Sequence, residues 1–137
     1  MAILNALIFL GLSTLHFYWL LGGKSGLDSA VPTYERSGNK VFFPSTLSTL
    51  IVACGLLGFG FIELGNTNIF SGWIELKYFR WGNLLIAFIF LARAIGDFKY
   101  FGIFKRIRNT LFAQSDTRYF TPLCLFVATT SILIVLA

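Results

Sequence analysis

Four apolar runs, each about as long as a bilayer is thick, divide this sequence, and polar loops separate them. They fall at about residues 3–21, 44–64, 81–104 and 121–137. A helix that crosses the hydrocarbon needs roughly 20 apolar residues. Backbone inside lipid must satisfy its own hydrogen bonds, which a helix does within one segment. The pattern therefore specifies an all-α fold, a single four-helix transmembrane bundle over residues 1–137. Composition supports it: 56% of residues are hydrophobic and only 12% charged. One core of this size cannot hide that much apolar surface, whereas lipid solvates the excess.

The first run lacks a positive leader and an A-x-A-like site, so it reads as a retained helix rather than a cleaved signal. It closes on His16-Phe17-Tyr18-Trp19, an aromatic group suited to the interface, and Gly22-Gly23 stop it. Pro44 opens the second run, where a missing N–H costs nothing. Within that run Ala53, Cys54, Gly55, Gly58 and Gly60 form a row of small residues that would admit a neighbouring helix. Glu63, at its far end, reads as interfacial. The third run is the awkward one. Its uncharged part, Gly82 to Ala92, is only about 16 Å long as a helix, against a hydrocarbon core of about 30 Å. The spacing predicts a helix continuing through Arg93 and Asp97 to about Phe104. Pro122 marks the start of the fourth run.

Charge orients the bundle. The loop between the first two runs and the loop between the last two hold eight lysines and arginines; the middle loop holds two. The positive-inside rule then places the first and third loops in the cytoplasm and both termini outside, in a cell inner membrane. The formal net charge of +5 is explained by that topology and by anionic headgroups, not by nucleic acid. Cys54 and Cys124 show no CxxC and no neighbouring histidine, and read as small packing residues.

This topology gathers the polar residues at the cytoplasmic leaflet. Arg93 and Asp97, four residues apart, share one helical face. They read either as an ion pair locking helices together or as an anion-holding arginine positioned by an aspartate. His16 serves as an acid or base, or as a hydrogen-bonded core residue; with no second ligand nearby, a metal site is not expected. Lys105, Arg106 and Arg108 fix topology or contact anionic headgroups, with Tyr100, Phe101 and Phe104 in the interface. Asp116 and Arg118 precede the fourth run. The candidate headgroup-binding set is thus His16, Trp19, Arg93, Asp97, Lys105, Arg106, Arg108, Asp116 and Arg118, with His16 and Asp97 as candidate catalytic groups. No nucleophile elbow, zinc-protease signature, phosphate loop or dinucleotide fingerprint occurs.

His16-Phe-Tyr-Trp-x-x-Gly-Gly, Arg93-Ala-Ile-Gly-Asp-Phe-Lys-Tyr-x-Gly-x-Phe-Lys-Arg and Asp116-Thr-Arg-Tyr-x-x-Pro-Leu-Cys occur in that order. In these segments the chain resembles a bacterial family of small four-span membrane proteins known as a domain of unknown function. The resemblance implies four helices and a bacterial membrane, and no activity. It directs attention to His16, Trp19, Gly23, Pro44, Arg93, Gly96, Asp97, Lys105, Asp116, Pro122 and Cys124.

The leading expectation is an accessory or lipid-binding membrane module whose partners are membrane lipids with anionic headgroups. Alternatives are an intramembrane enzyme acting on a lipid or isoprenoid through His16 and Asp97, an oligomeric transporter, and a structural subunit of a larger complex. The sequence implies no particular cofactor.

Overall fold

In the computed structural model, which describes residues 1–137, four long helices carry the chain back and forth. They are α1 (Ala2–Leu20), α3 (Thr46–Gly65), α4 (Leu76–Ile95) and a final span of 26 residues, Leu111–Leu136. That last span is built from α5 (Leu111–Ser115), a π turn (Asp116–Phe120) and α6 (Thr121–Leu136). The short α2 (Leu27–Ala30) lies in loop 1, where Thr33 and Lys40 form an isolated bridge. No strand is present, and the protein is a multi-pass, all-helical membrane protein.

One buried residue from each long helix makes the central layer: Phe9, Leu56, Ile86 and Val127. Around it pack Leu12, Phe59, Phe90 and Leu123. Only 28 of the 137 residues are buried. Leucines and phenylalanines such as Leu7, Leu57, Leu85, Phe88 and Phe126 face outward, as helices surrounded by acyl chains require. The main packing is pairwise, α1 on α3 and α4 on α6. The α1–α3 contact is close: Ser13 Oγ donates to Ala53 O at 2.7 Å, and a Cβ at Gly60 would stand 3.6 Å from Ala6 O. Of the small-residue row, Ala53 and Gly60 therefore serve this contact. Gly55 and Gly58 meet nothing within 4 Å, and Cys54 is exposed.

Two boundaries differ from expectation. Helix α4 gains its crossing length at the other end, beginning at Leu76 and stopping at Ile95 rather than running from Trp81 to Phe104. Lys77, Tyr78 and Arg80 are exposed on its first turns, where long side chains reach the interface from within a helix. Gly96 ends it, with φ 90° and ψ −173°, a conformation open essentially to glycine. Loop 3 then folds back, Ile103 N donating to Ala94 O at 2.8 Å. The final span begins ten residues before Thr121, where Thr110 Oγ1 caps α5 by accepting from Ala113 N at 3.1 Å. Pro122 sits inside this span instead of opening it. Its ring and missing N–H disturb the preceding turn, and there the helix widens into the π turn instead of breaking.

Candidate functional site

The π turn places Asp116 on the inner side of the last span, fully buried, where the end of α4 and loop 3 converge on it. Four donors meet its carboxylate. Arg93 Nη2 donates to Oδ1 at 2.8 Å. Gly102 N, Lys105 Nζ and Thr121 Oγ1 donate to Oδ2 at 2.8, 3.0 and 3.1 Å. Such a set matches an ionised carboxylate, which only accepts. Lys105, itself buried, donates a second bond to Gly102 O at 3.2 Å. The Arg93 guanidinium lies over the Phe101 ring, 4.3 Å from its centroid, and its Nη1 is buried without a partner. Asp116 is thus the hub that ties loop 3 to two spans.

The expected Arg93–Asp97 pair does not form. An i,i+4 pair requires unbroken helix, and Gly96 intervenes. Asp97 instead organises loop 3 from its first residues: one oxygen, Oδ1, accepts from the N–H groups of Lys99, Tyr100 and Phe101 at 2.9, 2.7 and 3.1 Å. Desolvation works against its charged form, but the N–H groups of Lys99, Phe101 and Tyr100 outweigh it and hold the carboxyl below its ordinary range. The loop closes where Gly96 and Gly102 touch, a Cβ at Gly96 falling 2.7 Å from Gly102 Cα.

Beside the hub opens a pocket of about 310 Å³, lined by Gly102, Lys105, Arg108, Thr117, Thr121 and neighbours, with no carboxylate residue on its wall. Arg108 Nε contacts Lys105 O at 3.4 Å, leaving the rest of its guanidinium to the exposed side. The two threonine hydroxyls already donate, to Ala113 O and to Asp116. Their oxygens remain acceptors, which leaves Lys105 and Arg108 as the charged donors on the wall. Arg106 and Arg118 lie on the exposed surface without a carboxylate partner.

His16 and Trp19 belong to another pocket, of about 270 Å³, between α1, loop 1 and α3, with Val31, Phe42, Pro44 and Ser48 on its walls. His16 Nδ1 donates to Leu12 O at 2.8 Å, so in the neutral ring Nε2 is the acceptor. Its ring packs edge-on to Trp19, whose Nε1 donates to Ser25 O at 2.8 Å. Of the nine candidate residues, then, Arg93, Lys105 and Asp116 meet, and Arg108 borders them. Asp97 shapes the loop, Arg106 and Arg118 stay on the surface, and His16 and Trp19 stand apart.

Sequence reasoning overlooked Thr117 and Thr121, and it misplaced Glu63. That carboxyl is fully buried at the opposite end of the bundle, bonded to Asn5 and Ser131. Asn5, Glu63 and Asn83 interrupting apolar runs were the available signal, since polar side chains inside a span normally face the bundle interior.

A family model described as "Protein of unknown function (DUF3995)" matches residues 9–131. No curated protein and no solved structure matches the chain.

Proposed function

This chain belongs to the DUF3995 family of proteins of unknown function, and we propose that it is an accessory membrane module holding an anionic lipid headgroup in the loop 3 pocket. The single observation behind this reading is the charge balance at that pocket. Arg93 and Lys105 share one carboxylate, Asp116, and Arg108 lines the wall with none. The surplus is cationic, and it lies where the last span meets loop 3. A phosphate or phosphodiester offers acceptor-only oxygens to Arg108 and Lys105, while hydroxyls of the headgroup suit the threonine oxygens. Exposed Phe98, Ile103 and Phe104 give loop 3 apolar side chains to seat among the acyl chains beside it. With loops 1 and 3 carrying most of the positive charge, the positive-inside rule puts this pocket at the cytoplasmic leaflet.

Geometry supports the enzyme reading less well. Asp97 is committed to three backbone N–H groups in loop 3, and His16 faces the α1–α3 pocket, so the two do not form an acid–base pair. The test is the lipid that stays with the protein through purification. Arg108→Ala is expected to lose anionic lipid that wild type retains; equal retention overturns the proposal.

A further inference from the structure

At the end of the bundle opposite the basic loops, four helices bring polar side chains into one buried layer. Glu63 of α3 is 0% exposed. Asn5 Nδ2 of α1 and Ser131 Oγ of α6 both donate to its Oε1, at 2.9 and 3.1 Å. Thr130 Oγ1 donates to Asn5 Oδ1 at 3.0 Å. The other carboxyl oxygen, Oε2, is buried with no partner. So are both polar atoms of Asn83 on α4, a residue likewise 0% exposed. Packing brings Asn83 to this level. Ile86, one turn along α4, is in the central layer with Phe9 and Val127, and Gly82 stands against Ile62, the chain neighbour of Glu63.

A negative charge here would have no ion-pair partner. The charged groups at this end of α1 and α4 are the Met1 amino group, Lys77 and Arg80; none makes an ion pair with Glu63, and Lys77 pairs with Glu75. Neither α6 nor the rest of α3 contributes any charged side chain. A carboxylate buried this way is costly unless a cation or a proton neutralises it. The free acceptors, Glu63 Oε2 and Asn83 Oδ1, are hard oxygens of the kind that bind such species.

A cavity lies just outward of this layer, on the loop 2 side. It measures about 320 Å³ and is lined by Ala2, Asn66, Arg80 and Leu133 among others. Each of these lies two or three residues outward from a member of the buried layer: Asn5, Glu63, Asn83 and Ser131.

We propose that Glu63, with Asn5, Asn83, Thr130 and Ser131, forms a site that takes up one small monovalent cation, a proton or a sodium ion, from the loop 2 face. In the proton case the added bond is O–H at Oε2, and the carboxyl becomes a donor. In the sodium case the carboxylate supplies the charge, and the amide and hydroxyl oxygens complete the shell. The site is independent of the headgroup pocket at the other end.

The test uses the whole chain in zwitterionic nanodiscs at neutral pH, with infrared spectra and thermal unfolding recorded in choline chloride and in sodium chloride. A protonated-carboxyl C=O band that Glu63→Gln removes establishes the proton. A sodium-dependent rise in Tm that Glu63→Gln or Asn83→Leu abolishes establishes sodium. If Glu63→Gln does not fold, Glu63→Asp must shift the band to keep the assignment. A wild type with neither such a band nor a sodium-dependent Tm overturns the proposal.

Discussion

Arg93 reaches across to Asp116, 23 residues further along the chain, and not to Asp97, four residues on. That choice of partner decides how the basic loop is held. Because α4 stops at Gly96, its last arginine is free to point across to the π turn, and the loop that follows wraps over both. The hub and the pocket beside it are products of the same helix termination.

Removing the hub's charge should cost more than any other single change at this end. Asp116→Asn leaves Arg93 and buried Lys105 facing a neutral amide, and losses of about 3–5 kcal/mol are typical when one partner of a buried pair is removed. Equilibrium unfolding in mixed micelles measures it. Asp97→Asn, at an exposed position, leaves the global transition in place.

Asp97 should act locally and with a defined pH dependence. Its carboxyl is held below the ordinary value by the loop N–H groups. Its contribution to loop order is therefore complete above the ordinary carboxylate pKa of about 4. It is lost as the pH falls through the lower value of the folded protein. Amide exchange at Lys99, Tyr100 and Phe101, corrected for intrinsic rates, should stay protected at pH 5 and lose protection only in stronger acid. In Asp97→Ala the protection should be gone at every pH.

Gly96→Ala should destabilise by about 1–3 kcal/mol from the backbone conformation alone, with more from the collision with Gly102. Gly58→Ala, where nothing lies within 4 Å, should be neutral or slightly stabilising, since alanine favours helix over glycine by up to about 1 kcal/mol. Parallel unfolding curves of the two variants separate a packing glycine from an incidental one.

Thr110→Ala removes the cap of α5 and should cost about 1 kcal/mol. Exchange rates at Ala113 and Gln114, whose N–H groups bond to Thr110 Oγ1 and O, would report fraying from this end of the span.

Much of this architecture was legible in the residues. Apolar runs of bilayer length set the helices and their order. What escaped were features decided by contacts. Lys77 and Arg80 look like loop charges, yet their long side chains let a helix begin beneath them. Pro122 looks like a helix start, yet a π turn accommodates it inside a span. The spacing of Arg93 and Asp97 fits a helical pair only if the helix survives Gly96, and the close approach of Gly102 is invisible in the sequence. Glu63 looks interfacial because it ends an apolar run. Its burial depends on Asn5 and Ser131, 58 and 68 residues away.

The proposed headgroup pocket is tested most directly by comparing two neighbouring arginines. Arg108 lines the pocket, whereas Arg106 is exposed and outside it; both carry the same charge on the same loop. Wild type, Arg106→Ala and Arg108→Ala would be taken through mixed anionic and zwitterionic nanodiscs, and the retained lipid counted by native mass spectrometry. The account predicts that Arg106→Ala keeps the anionic lipid and Arg108→Ala loses it. Equal retention in all three, or an equal loss in both variants, would contradict it.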